Sequence, residues 1–228
     1  VLRWVPADAP RRASPHSANA NANVHPERWA ARLASTLRAG GPWLGAFAFC
    51  CYSAQWLAVI GFLPSLYLQA GWGGALGAVL TAGVAAVNII GNVAAGRLLA
   101  RGVPARALLW CGFAAMALGA FLAFSDLTAG RAVLRYVGAL LFSTVGGLIP
   151  GTLFGLAPRL APGDHSIAST VGLMQQWSAV GQVGGPPLAA WLAGQAGGWQ
   201  LTWVMTGACC VAGALLATLI GQRLRKLK

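Results

Sequence analysis

Acidic residues are nearly absent from this chain, and charged residues of any kind are scarce. Only 4 of the 228 residues are Asp or Glu, charged residues make up 9% of the chain, and apolar residues make up 57%. Soluble globular domains carry about 25% charged residues. The composition therefore excludes an ordinary soluble domain and is typical of a polytopic membrane protein.

Sequence patterns that carry enzyme chemistry are also missing. The chain contains no Gly-x-Ser-x-Gly, no His-Glu-x-x-His, no paired carboxylates inside its apolar runs, and no ligands at metal-binding spacings. No Asp, Glu, Lys or His lies in the core of any apolar run. We therefore predict that the chain is not an enzyme and holds no metal or cofactor. The runs therefore offer no side chain that could carry a proton within the membrane.

Six apolar runs are each long enough to cross a bilayer, which takes roughly 20 residues. The first run is too long, and starts too far into the chain, for a signal peptide. We predict an all-α protein with six transmembrane helices, at about 43–69, 75–96, 107–125, 133–157, 167–193 and 200–221. The third and sixth runs are the least polar, and we expect the third to be peripheral and to face lipid.

The net charge of +12 follows the ends of these runs and forms no single basic block, so we expect a lipid bilayer and not nucleic acid as partner. One side of the membrane would carry eleven basic residues: Arg28, Arg32, Arg38, Arg97, Arg101, Arg106, Arg159, Arg223, Arg225, Lys226 and Lys228. The opposite side would carry two, Arg131 and Arg135. The positive-inside rule then predicts that both termini are cytoplasmic, and we place the chain in a cell membrane, a bacterial inner membrane.

The predicted domains are a cytoplasmic linker over 1–40, a six-span domain over 41–222, and a basic tail over 223–228. Near 27–38 of the linker, Trp29, Leu33 and Leu37 recur every fourth residue. This spacing predicts a short amphipathic helix on the cytoplasmic surface, although an ordinary helical extension of the linker fits equally.

The cysteines and a set of polar residues lie inside the runs. All five cysteines are intramembrane, and since neighbours on a helix point about 100° apart, we predict packing roles for the adjacent pairs. In the first run, Tyr52, Gln55 and Trp56 could face either a ligand or a neighbouring helix. In the second, Asn88 and Asn92 could join helices or contact a substrate.

The fourth run combines Ser143 and Thr144 with several glycines and Pro150, a combination that predicts a bent helix. Arg135, about one turn inside this run, could bind an anion or extend to the lipid headgroups.

The fifth run carries the most organised pattern. Gly181 and Gly185 are four residues apart on one face, where they allow close helix packing, and Pro186 follows at once. A polar stripe formed by Gln175, Ser178 and Gln182 occupies the i, i+3 and i+7 positions.

These features resemble the carboxy-terminal half of a major facilitator superfamily transporter, over about 40–222. The family motif on the equivalent helix is Gly, eight residues, Gly, three residues, Gly-Pro, two residues, Gly-Gly. Gly172, Gly181, Gly185 and Pro186 keep that spacing, and alanines replace the last two glycines. The loop after the second run keeps the basic residues Arg97, Arg101 and Arg106 but has Gly96 where the family pattern places an acid.

The resemblance implies alternating-access transport of a small solute between two six-helix halves. It assigns Tyr52, Gln55, Trp56, Ser143 and Thr144 to the cavity wall, joined by Gln175, Ser178 and Gln182 from the fifth run. It assigns helix packing and gating to Gly172, Gly181, Gly185, Pro186, Asn88 and Asn92. The implied partner is a missing amino-terminal six-helix half or a second copy, in keeping with a chain that starts at Val1. The alternative is a truncated, non-transporting membrane scaffold or partner subunit.

Overall fold

The computed structural model describes residues 26–226, and the regular secondary structure of that part is entirely helical. Its α-helices are α1 (Pro26–Arg38), α2 (Gly40–Gln69), α3 (Gly74–Ala86), α4 (Asn88–Ala100), α5 (Ala105–Phe124), α6 (Ala132–Gly146), α7 (Leu148–Leu160), α8 (Ile167–Ala196) and α9 (Thr202–Lys226). Short 3₁₀ turns occupy Asp126–Thr128, Asp164–Ser166 and Trp199–Leu201. Most of the predicted linker (1–25) and the end of the basic tail (227–228) lie outside the described residues.

The prediction of an all-α polytopic membrane protein is confirmed. Within residues 26–226, five helical stretches are long and apolar enough to cross a membrane: Gly40–Gln69, Gly74–Ala100, Ala105–Phe124, Ala132–Leu160 and Trp199–Lys226. The predicted fifth span corresponds to α8, which is 30 residues long but is not one of these five. Its Gln, Ser and Gly residues lower its hydropathy, and its membrane crossing stays a prediction.

Helix α2 lies at the centre of the bundle. It packs along α8, α9, α7 and α3, and it continues unbroken through Pro64. Helix α5 packs on α6, α7 and α9, so Phe113 and Met116 are buried while Leu118 on the opposite side is exposed. The apolar sequence of α5 thus serves helix packing on one side, and only its outer side is free to contact lipid.

Two of the long apolar stretches carry a one-residue irregularity in the helical hydrogen-bond pattern, at Val87 between α3 and α4 and at Gly147 between α6 and α7. Both residues keep right-handed helical backbone angles, so each stretch continues as one membrane-length helix. The second lies among the glycines and the proline of the run for which a bend was predicted, and the bend itself stays a prediction. The first was not predicted, because neither Val87 nor its neighbours Ala86 and Asn88 are Pro or Gly.

Helix α1 presents its apolar face outwards. Trp29, Leu33 and Leu37 are exposed, as a helix lying on a membrane surface would require. The opposite face is fastened to the bundle, since the hydroxyl of Ser35 lies 3.2 Å from that of Ser166. The Trp43 indole also donates a 2.8 Å hydrogen bond to the Leu37 carbonyl.

The Arg135 side chain forms two hydrogen bonds within the chain. Its Nη2 donates to the carbonyl of Ser125 at 3.0 Å, and its Nε donates to Thr128 Oγ1 at 3.4 Å. Ser125 directly follows the last residue of α5, where unpaired carbonyls and the helix dipole favour a cation. The side chain therefore joins the start of α6 to the end of α5.

We expect Arg135→Gln to lower the free energy of unfolding by about 1 kcal/mol, because both donated hydrogen bonds are weakened or lost. The measurement is the apparent melting temperature of the purified chain in one detergent. Arg131→Gln is the matched control, since Arg131 is exposed in the same connection. Equal melting temperatures for the two variants would contradict this role.

Candidate functional site

Helices α2 and α8 run parallel and touch backbone to backbone at two glycines. A Cβ on Gly181 would come to 2.5 Å from the carbonyl oxygen of Cys50, and a Cβ on Gly185 would collide with the carbonyl of Ala54. Two glycines one turn apart on α8 thus contact two residues one turn apart on α2. The sequence predicted close packing at these glycines, and the structure shows that α2 is the helix they contact.

A chain of polar groups lies beside this glycine contact. The Ser53 and Ser178 hydroxyls are 2.7 Å apart, and Nε2 of Gln182 donates to Ser178 Oγ at 3.2 Å. Both serines are buried, whereas Gln175 and Gln182 are exposed. The polar stripe therefore begins between two helices and ends on an open face.

A second polar cluster joins α2 to the α3–α4 stretch and the α6–α7 stretch. Nδ2 of Asn88 donates to the Tyr52 hydroxyl at 3.0 Å and to the Ser143 carbonyl at 2.9 Å. Nδ2 of Asn92 donates to Asn88 Oδ1 at 2.9 Å. Asn88, the first residue of α4, thereby connects three helices. The sequence left two roles open for Asn88, joining helices or contacting a substrate. The two roles are compatible, because Asn88 joins helices and is only partly buried.

The segments around Val87 and Gly147, where α3 meets α4 and α6 meets α7, lie against each other at this cluster. A Cβ on Gly147 would collide with the Asn88 carbonyl, and a Cβ on Gly91 would collide with the Thr144 carbonyl. Gly151 continues the contact one turn further, where a Cβ would come to 2.7 Å from the Asn92 carbonyl. Helices α4 and α7 thus form a second parallel pair packed through glycines.

Four of the predicted cavity residues are buried in the bundle: Tyr52, Gln55, Ser143 and Ser178. Gln55 has no exposed surface: its Oε1 accepts a 3.2 Å hydrogen bond from Cys210 of α9, and its Nε2 donates to the Cys51 carbonyl. It offers no free amide to a solute because α9 and its own helix use both ends. Ser143 is also fully buried. It takes part in the cluster through its carbonyl, and its hydroxyl has no hydrogen-bond partner within residues 26–226.

Four further predicted residues are half-buried or exposed. Trp56 and Thr144 are half-buried, and the Trp56 indole nitrogen has no hydrogen-bond partner among the described residues. Gly172 is exposed, and a Cβ there would meet no atom of the described chain within 4 Å. Its predicted packing role therefore finds no partner in residues 26–226. Pro186 is half-buried directly after Gly185.

The sequence interpretation overlooked an aromatic cluster between α2 and α8. The rings of Trp43, Phe47 and Trp177 lie with their centroids 4.7 to 5.8 Å apart. The available signal was the four-residue spacing of Trp43 and Phe47, which places both on one face of α2. The cluster packs the part of α2 nearest to α1 against the amino-terminal part of α8.

The loop arginines lie at this same end of the bundle. Arg97 is exposed in the last turn of α4, Arg101 follows the helix, and Arg106 lies in the first turn of α5. The Arg106 guanidinium lies 5.9 Å from the centre of the Trp110 ring. In the part of the chain that the structure describes, no group of three His, Cys, Asp or Glu side chains is placed to hold a metal ion.

Comparison with known proteins identifies the family. The sequence profile described as Major Facilitator Superfamily matches residues 1–183, which reach from the amino terminus into the glycine motif of α8. A search of curated proteins finds no match to the chain. The profile covers well over half of the 228 residues. The chain therefore belongs to the Major Facilitator Superfamily, a superfamily of membrane transporters.

Proposed function

We propose that this chain supplies one wall of a passage for a small solute and works by alternating access as the carboxy-terminal half of a permease or exporter. The observation that carries the proposal is the cluster of Tyr52, Asn88 and Asn92, which joins α2 to two other membrane stretches beside the one-residue irregularities at Val87 and Gly147. Polar groups inside membrane spans usually face protein or water and mark solute pathways, and transporter binding sites lie near the bilayer midplane.

The residues that would face the solute are Trp56, Asn88, Asn92, Thr144, Gln175 and Gln182. They offer amides, a hydroxyl and aromatic surface but no fixed charge, which favours a neutral, amphipathic or weakly anionic solute. Tyr52, Gln55, Ser143 and Ser178 would support this wall from behind, because their side chains are buried. Selective transport of a solute with a permanent positive charge would contradict this choice of class.

A partner is proposed to cover the open face of α4 and α8. Ile89 and Val183 lie on the helices that bear the asparagines and glutamines, and they are 66% and 76% exposed. A six-helix amino-terminal half, or a second copy, would cover this face and complete the passage. Any proton-coupling group would then come from that partner. Polar residues that stay inaccessible to water would favour the alternative, a non-transporting scaffold.

Cysteine labelling separates the two functions. In a background without native cysteines, we expect Gln182→Cys to react with a membrane-impermeant thiol reagent, because the side chain would face a water-filled passage. Leu118→Cys is the matched control. Leu118 is also exposed, on α5, but would face lipid and should react at least about tenfold more slowly, since thiolates form poorly in hydrocarbon.

Equal protection of both cysteines in membranes would exclude the passage.

The same reagent tests the orientation proposed for a bacterial inner membrane. We expect a cysteine at His165 to react only from the cytoplasmic side and one at Asp126 only from the opposite side, because these residues lie in connections at opposite ends of the bundle. The reverse pattern would exclude cytoplasmic termini.

A further inference from the structure

A cleft of about 810 Å³ lies at the arginine-rich end of the bundle, away from the proposed solute face. It is bounded by the α4–α5 connection, the end of α7 and the last turns of α9. The side chains that matter for its chemistry are Arg106, Arg159, Arg225, Trp110, Leu99 and Leu224.

Three arginines from three different helices line this cleft, and none of the lining residues in the described part of the chain is acidic. Asp126 and Asp164, which lie in other connections, do not line it. The positive-inside rule explains why arginines occur at this end of the spans, but it does not require them to meet in one concave site. Grouped positive charges of this kind are stabilised by an anion.

The arginine on α5 is held in place by its neighbours. The stem of Arg106 lies across Gly221 of α9, where a Cβ would come to 2.9 Å from its Cδ. Its guanidinium lies over the Trp110 ring, and the Trp110 indole donates a 3.2 Å hydrogen bond to Thr218 Oγ1 of α9. These contacts place the charge at the cleft before any ligand arrives.

We propose that this cleft binds the headgroup of an anionic phospholipid from the cytoplasmic leaflet. Guanidinium groups bind phosphate oxygens in bidentate fashion, and basic pockets between membrane helices are suited to acidic lipid headgroups. Trp110 would lie at the level of the glycerol backbone, as tryptophans at membrane interfaces do. Leu99 and Leu224 offer apolar surface to the first carbons of the acyl chains. The inference rests on the membrane location and not on transport.

The test is native mass spectrometry of the purified full chain in detergent, titrated with phosphatidylglycerol or phosphatidylcholine. We expect phosphatidylglycerol to bind at least about tenfold more tightly, because only its headgroup carries a net charge. Replacing Arg106, Arg159 and Arg225 by Gln should remove that preference. The charge-matched control replaces Arg97, Arg101 and Arg131 by Gln and should retain it. Equal losses in both triple variants would mean diffuse attraction and overturn the proposal.

Two further arms identify the ligand and its place. Inorganic phosphate at millimolar concentration should not displace the lipid; full displacement would mean a site for free phosphate and overturn the lipid proposal. A photoactivatable phosphatidylglycerol should cross-link the unmodified chain at peptides that contain Trp110 or Arg225. This arm holds even if the triple variant does not fold, and cross-links spread evenly over the helices would exclude the cleft.

Discussion

Replacing Gly185 by Leu is expected to separate α2 from α8 and to abolish transport. The Cβ alone would collide with the carbonyl of Ala54, and the obstacle is backbone that no side-chain rotation can move. We expect a loss of about 3 kcal/mol in the free energy of unfolding, the upper end of the usual cost of overpacking. The measurement is the apparent melting temperature in detergent, together with solute uptake once a substrate is known.

Gly184 provides an unusually close control for this variant. It is the preceding residue of the same helix, but it is exposed, and a Cβ there would meet no atom of the described chain within 4 Å. Gly184→Leu should therefore change the melting temperature little. Similar melting temperatures for the two variants would show that the α2–α8 contact adds little to stability.

The comparison matters because helices in lipid do not associate by excluding water. Their association depends on close packing and on interhelical hydrogen bonds. At Gly181 and Gly185 the two backbones touch directly, and the Ser53 to Ser178 hydrogen bond lies at the same contact. Both contributions to helix association thus occur together in this pair.

The sequence was most informative where a residue type has only one physical use. A glycine pair four residues apart inside an apolar run serves close helix contact, and Gly181 and Gly185 make that contact. The sequence could not name the partner helix, because any backbone can approach a glycine. The same limit explains Gly172, which has the motif spacing but no neighbouring helix among the described residues.

Polar residues were harder to assign from the sequence. Gln55 and Gln182 are both amides in apolar helices, yet one is fully buried against α9 and the other is exposed. Their difference depends on where α9 packs, which helical periodicity does not specify. The irregularity at Val87 could not be predicted from the sequence for a similar reason. It is surrounded by close packing between Gly91, Gly147 and their neighbours, and those contacts join residues that are distant in sequence.

Replacing Asn88 by Leu is expected to disconnect α2, α4 and α6 at the proposed binding site. The variant loses the hydrogen bonds to the Tyr52 hydroxyl and the Ser143 carbonyl, and it leaves Asn92 without its side-chain acceptor. Interhelical hydrogen bonds in membranes contribute about 0.6 kcal/mol on average and up to about 1.7. The bonds to Tyr52 and Ser143 are the two interhelical ones, and their loss should lower the free energy of unfolding by about 1 to 3 kcal/mol, read as the apparent melting temperature in detergent.

The matched comparison is Tyr52→Phe, which removes only the phenolic hydroxyl and keeps the ring packed on Phe49. It should cost about 1 kcal/mol, and in the double variant its effect should largely vanish, because Asn88 is the partner of that hydroxyl. Additive losses would mean that the two side chains act independently and that the cluster does not link the helices. If stability falls as expected while solute binding is unchanged, Asn88 joins helices without contacting the solute, and the binding site must lie nearer to Gln175 and Gln182.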